Sequence, residues 1–204
     1  MAGISCAFKA TGPARGRPLA LRRNASRDEP CTRLRPMPIF EPMFRALNDA
    51  GARYVVVGGV AVVLHGHVRL TTDLDLVVDF DPAEALKVVE VLSGLGLRPR
   101  APVNPRDFAD PAVREQWQSE KGMRVFTMVD PTGRREVDLF VENPIPFEEL
   151  WSRSVQIALS DTTVRVASIP DLILLKRLGD RPIDRADVES LQAILRAREE
   201  DRHG

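Results

Sequence analysis

The sequence predicts an α+β fold, and three stretches carry that prediction. Residues 55–78 read as strand, glycine turn, short helix, loop and second strand, residues 81–94 open with a helix start, and residues 124–141 read as two strand-like arms around a turn. Apolar residues recur at helical spacing in some segments and alternate in others, so both element types are expected along one chain.

The folded part begins near Met37. Phe40, Phe44 and Leu47 recur at helical spacing and Gly51 provides a stop, which predicts an amphipathic helix over residues 41–50. Val55 to Val57 then form an apolar β-branched strand running into Gly58 and Gly59. With no Cβ in the way, the backbone there can turn sharply and approach a ligand. Ala61, Val62 and Leu64 continue as a short helix stopped by Gly66, and residues 67–72 form a loop leading to a strand over 73–78. Strand alternation places Asp73 and Asp75 on one face and Leu74 and Leu76 on the core side.

Asp81-Pro82-Ala83-Glu84 supplies an N-cap, a proline at the first helical position and an acid three residues after the cap. The helix is expected to run to about Gly94, burying either Leu86, Val89 and Leu92 or Val88 and Val91. Pro99, Pro102 and Pro105 predict an irregular crossing, followed by a short helix after Asp110-Pro111 that contains Trp117. Arms 124–129 and 135–141 join through Asp130-Pro131-Thr132-Gly133 as a hairpin. Val137, Leu139 and Val141 share one face of the second arm, leaving Glu136 and Asp138 on the other. Residues 147–151 read as a turn of helix, and 155–159 with 163–167 as a small hairpin around Ser160-Asp161. Ser168-Ile169-Pro170-Asp171 opens a helix over 172–178 that contains Lys176. A final helix over 184–198 turns Val188, Leu191 and Leu195 inward, and the charged tail 196–204 is expected to fray.

Composition bounds the functional classes. The chain has 204 residues, 44% of them hydrophobic, enough for one core or one core plus a small appendage. Nowhere do eighteen apolar residues run together, so no membrane span is expected, and the N-terminus lacks the apolar run of a secretory signal. Cys6 and Cys31 make neither a metal-ligand pattern nor a disulfide framework, so a reducing, cytoplasmic setting is expected. Formal charge is zero overall but uneven: residues 1–36 hold eight basic against two acidic side chains, a net +6, and the remainder carries −6. That basic head, rich in Gly, Pro and Arg, is expected to be disordered. A nucleic-acid-binding arm and a targeting peptide are functional readings of it, and an extended translation start upstream of Met37 is the preferred one.

Two carboxylates on one strand face repel unless a cation sits between them, so Asp73 and Asp75 predict a Mg²⁺ site. A helix N-terminus behind two glycines predicts a phosphate site beside it. His65-x-His67 lacks the further ligands a zinc site needs, and His65 is read as a packing or hydrogen-bonding residue at a helix end.

Gly58-Gly59, thirteen intervening residues, Asp73-Leu74-Asp75 and the later strand residue Asp138 together resemble the nucleotidyltransferase superfamily that includes DNA polymerase β. Within it, Arg69-Leu70-Thr71-Thr72-Asp73-Leu74-Asp75-Leu76, with Lys176 and Arg181-Pro182-Ile183-Asp184-Arg185-Ala186-Asp187, looks like the small bacterial branch. That branch includes abortive-infection-type toxins and antibiotic-modifying enzymes. The resemblance spans residues 40–195 and implies a mixed β-sheet flanked by helices, with a nucleotidyltransferase core over 37–145 and a C-terminal hairpin and helices over 146–204 packed on it.

It further implies that Asp73, Asp75 and Asp138 are the catalytic carboxylates and hold two Mg²⁺ ions, with an NTP such as ATP as donor. Gly58 and Gly59 would offer backbone N–H groups to the β- and γ-phosphates, and Arg69, Thr71 and Lys176 would add contacts there. NMP would pass to a hydroxyl on RNA, protein or a small molecule, in the manner of a toxin with an antitoxin-like partner. The alternatives are an aminoglycoside-like antibiotic nucleotidyltransferase and a catalytically silent nucleotide-binding or interaction module, against which the three carboxylates count. The acidic body gives no electrostatic support for an RNA acceptor, which rests on analogy. Each residue also has a plainer reading: Asp138 as an exposed charge, Arg69 and Thr71 as braces of the acidic strand, Lys176 as a snorkelling side chain, and Asp184 and Asp187 as helix-start residues paired with Arg181 or Arg185.

Overall fold

The computed structural model describes residues 39–203. The expectations of disorder over 1–36, the two cysteines and Met37 lie outside the described residues. Helix α1 (Glu41–Asp49), entered from buried Phe40, buries Phe44 and Leu47 as their spacing predicts, and Met43 with them. It leads into strand β1 (Tyr54–Val57), which is buried along its whole length. Helix α2 (Gly58–Leu64) begins at the glycine pair itself, and strand β2 (Asp73–Val78) alternates half-buried Asp73 and Asp75 with buried Leu74 and Leu76.

Helix α3 (Pro82–Gly94) is capped by Asp81, whose side chain accepts from the N–H groups of Ala83 and Glu84. The reciprocal half of the expected capping box does not form. The Asp81 N–H donates to Asp79 instead, at 3.0 Å, while Glu84 accepts from Lys87 at 2.7 Å and from the Arg53 N–H at 3.3 Å. The buried stripe of α3, Ala85, Val88, Val89 and Leu92, runs between the two expected faces, with Leu86 and Val91 partly buried at its margins.

The segment expected to be irregular contains a two-residue edge strand, β3 (Arg98–Pro99), a 3₁₀ turn (Pro105–Ala109) and helix α4 (Pro111–Lys121), capped by Asp110. Pro99 fits there because an edge strand has ladder positions that need no N–H. Phe108 and Trp117 stack on Phe126, with ring centroids 5.4 and 5.2 Å apart, which fastens this segment to the sheet.

The hairpin is strands β4 (Val125–Val129) and β5 (Glu136–Phe140), followed by helix α5 (Phe147–Arg153) and a second hairpin, β6 (Val155–Ala158) and β7 (Thr163–Val166). Helices α6 (Ile169–Gly179) and α7 (Pro182–His203) complete the fold. Helix α7 continues to His203, past the end near 198 that the sequence predicts; long polar side chains are good helix formers when the first turns of a helix are anchored.

Among the described residues the strands make one seven-stranded sheet in the order β3-β4-β5-β2-β1-β7-β6. It is mixed, as the resemblance implied: β2 runs parallel to β5 and β1 parallel to β7, while the other neighbours are antiparallel. Leu74, Leu76, Phe126, Met128, Val137 and Leu139 fill the core on one face. Asp73, Asp75, Thr127, Glu136 and Asp138 share the other, half-buried face. No described helix is long and apolar enough to cross a membrane.

Candidate active site

Register brings the acids together. In the β2–β5 pair Asp75 stands opposite Asp138, two residues along from Asp73 opposite Glu136. One oxygen from each of Asp73, Asp75 and Asp138 lies within 4.8 Å of the others, and among the described residues no other three His, Cys, Asp or Glu side chains are so placed. Each acid also has one donor. Thr71 Oγ1 donates to Asp73 Oδ1 at 3.1 Å, Thr127 Oγ1 donates to Asp138 Oδ1 at 2.6 Å, and the Gly59 N–H donates to Asp75.

Burial, and then the charges of Asp73 and Asp138, push the Asp75 carboxyl up to about 7, against the pull of Lys176 and the Gly59 N–H. Burial also raises the Asp138 carboxyl, opposed by the Thr127 hydrogen bond and supported by Glu136 and Asp73. Burial and mutual charge that oppose ionisation of Asp75 and Asp138 fit a bound cation. The donor set is entirely oxygen, which suits Mg²⁺ rather than zinc or copper.

The glycine pair is required by what lies against it. Gly58 has φ +62°, and a Cβ there would overlap the Asp75 carboxylate. A Cβ on Gly59 would overlap the Arg69 guanidinium and the Thr71 hydroxyl. The two residues thus let Asp75, Arg69 and Thr71 close over the start of α2.

The cationic side comes from α6 and the loop before β2. Lys176 does not snorkel: its side chain is only 6% exposed, with Nζ 3.1 Å from Asp184 and 2.9 Å from Asp187. Asp187 takes Lys176 and Arg69 Nε, at 3.0 Å, rather than Arg181 or Arg185. Asp184 pairs with Arg181 at 2.8 Å as expected, and Arg185 turns to Asp180. Burial alone would raise the Asp184 carboxyl, but hydrogen bonds from Arg181 and Lys176 bring it down to about 2. Thr71 does brace the acidic strand, through Asp73, whereas Arg69 ties the loop before β2 to Asp187 on α7 instead. His65 Nε2 meets the Ala167 carbonyl at 2.8 Å, the helix-end role expected of it.

A cleft of about 720 Å³ opens beside these groups. Gly58, Asp75, Lys176, Arg181 and Asp184 line it, together with Arg124, Phe140 and Glu142. Such a volume is in the range of small-molecule sites.

Residues 43–186 match the family described as Nucleotidyl transferase AbiEii toxin, Type IV TA system. The chain belongs to the AbiEii nucleotidyltransferase family. It is therefore a nucleotidyltransferase, and the glycine pair, the three acids and Lys176 all fall inside the AbiEii match. No curated protein matches the chain in sequence. In fold it is similar to the lincosamide antibiotic adenylyltransferase LnuA in its lincomycin-bound crystal structure, at 17% identity and TM-score 0.51, over 75% of this chain and 94% of that one. It is also similar to an antigenic nucleotidyltransferase-like protein from Paracoccidioides brasiliensis, at 15% identity and TM-score 0.50, over 76% of this chain and 73% of that one. At such identities the two likenesses speak for the fold alone.

Sequence reasoning passed over two residues of this candidate site. Thr127 needed the hairpin register, which can be counted back from the Asp130 turn: Val129 pairs with Glu136, Met128 with Val137 and Thr127 with Asp138. Arg181 was read only as a partner for Asp184, although its side chain is 71% exposed and lines the cleft near Asp75 and Asp73.

Proposed function

We propose that the chain is a metal-dependent nucleotidyltransferase that moves NMP from an NTP such as ATP to a hydroxyl acceptor, as the toxin of a pair with an antitoxin protein. The observation that carries this reading is the convergence of the Asp73, Asp75 and Asp138 carboxylates beside the glycine start of α2. Asp73, Asp75 and Asp138 would hold the Mg²⁺ ions. Cations bound there supply charge against the triphosphate and ease loss of the acceptor proton.

The chain's own groups have separate tasks. With no side chains in the way, Gly58 and Gly59 let the phosphates approach the start of α2, Arg69 and Thr71 stand beside Gly59, and Lys176 with Arg181 adds positive charge on the cleft side. The acceptor oxygen bonds to the α-phosphorus while the bond from that phosphorus to the bridging oxygen breaks. Pyrophosphate leaves with the electron pair, and the acceptor's proton passes to Asp138. Both NTP and Mg²⁺ are cytoplasmic supplies, so this reading puts the protein in the cytoplasm.

The test incubates purified protein with each NTP labelled at the α-phosphate, Mg²⁺, and total RNA, cell protein or a panel of antibiotics. One pool should take up label, and the label should vanish with EDTA or with Asp75→Ala. Absence of label from every pool would overturn the reading, and label in the antibiotic arm alone would replace the toxin assignment.

A further inference from the structure

Strand β4 presents Val125, Thr127 and Val129 on the face that carries the acids, so Thr127 is the one hydroxyl between two valines. It stands directly opposite Asp138 across the antiparallel pair, where side chains on neighbouring strands touch. The Thr127 Oγ1 to Asp138 Oδ1 distance is 2.6 Å, the length of a hydrogen bond from a hydroxyl to an ionised carboxylate. A hydroxyl has one proton to donate, and this one goes to Asp138. The contact engages Oδ1 and leaves the second oxygen, Asp138 Oδ2, outside the Thr127 hydrogen bond.

The other two acids have donors as well. Thr71 takes Asp73 Oδ1, and the Gly59 N–H serves Asp75. Two of these three donors lie next to the motif in sequence, within the α2–β2 segment. Asp138 sits alone on β5 and is served by a side chain from the far arm of its hairpin. An acid with one oxygen fastened and the other unclaimed has a single orientation ready for use, at less entropic cost than one free to rotate.

We propose that Thr127 is the positioning residue for Asp138: it fastens one carboxylate oxygen to β4, so that the other stays available to a divalent cation and to the acceptor's proton. This inference rests on the assignment of Asp138 made above. Thr127 touches neither substrate nor cation in this role and acts through Asp138.

The test compares Thr127→Val, Thr127→Ser and Asp138→Asn in the full chain. Valine keeps the shape and β-branching of threonine and removes only the hydroxyl, while serine restores it. Mn²⁺ binding to the protein without nucleotide, followed by electron paramagnetic resonance, is the first readout, and kcat and KM for NTP the second. Thr127→Val should weaken Mn²⁺ and lower kcat by about 10-fold or more, in line with groups that orient metal ligands, and leave KM for NTP within about 2-fold. Thr127→Ser should recover both, and all variants should melt cooperatively. Wild-type Mn²⁺ binding and kcat in Thr127→Val, with both lost in Asp138→Asn, would overturn the role of Thr127 alone. Wild-type behaviour of Asp138→Asn would instead remove the assignment of Asp138, and this inference with it.

Discussion

The Asp75 carboxylate lies in the space that a side chain on Gly58 would fill. An acid of the site and the left-handed glycine at the start of α2 are therefore one fitted unit, and neither can change without the other moving.

Gly58→Ala should for that reason be worse than an ordinary glycine substitution. The φ of +62° costs an L-residue roughly 1–2 kcal/mol, and the added methyl also displaces Asp75. NMP transfer should fall by about 100-fold or more, since small misplacements at a reacting centre cost that much. Labelled transfer and thermal melting measure the two parts, and a fully active Gly58→Ala protein would refute the fitted-unit picture.

The raised carboxyl of Asp75 makes the metal-free protein pH-sensitive. Its folded value of about 7 stands above the ordinary 3.8, so the folded state holds a proton that the unfolded chain has released. Stability should fall as pH rises from about 4 to about 7, and Asp75→Asn should flatten that slope. Melting in EDTA across this range checks the sign. Mg²⁺ should add more to the melting temperature at pH 8 than at pH 5, because at the lower pH it must displace the proton.

Lys176 is the counter-charge to two buried acids. Lys176→Met should cost about 3–5 kcal/mol, because Asp187 keeps only Arg69 and Asp184 only Arg181. Urea unfolding gives the number. Lys176→Met with Asp187→Leu should recover part of the stability and none of the transfer activity, which separates the folding role of the pair from its place in the cleft.

Asp184 predicts an acid limit. Its carboxyl is held down at about 2 by Arg181 and Lys176, so its contribution is complete above about 3.8 and is lost as pH falls through about 2. Acid titration followed by circular dichroism should show a transition in that window that Asp184→Asn shifts or removes.

Much of this was legible in the chain itself. Period-2 alternation in Asp73-Leu74-Asp75-Leu76 put both acids on one face, and the Asp130 turn located the hairpin that carries Asp138. What local patterns could not supply was long-range pairing. Arg69 meets Asp187, 118 residues later, and Lys176 turns inward although its neighbours Leu174 and Leu178 are exposed. A lysine flanked by leucines reads as surface until two acids from the next helix are known to face it. Edge strand β3 was hidden by its proline, which strand propensity counts against although an edge tolerates it.

The parallel pairing of β2 with β5 has a temporal consequence. Asp75 and Asp138 are 63 residues apart, so the acids assemble only when a distant strand joins the centre of the sheet. Lys176 arrives later still, in a helix that follows β7. During synthesis the three acids are therefore made before the lysine of the cleft, and a chain ending before α6 would carry them without Lys176 beside Asp75 and with Arg69 lacking its partner Asp187.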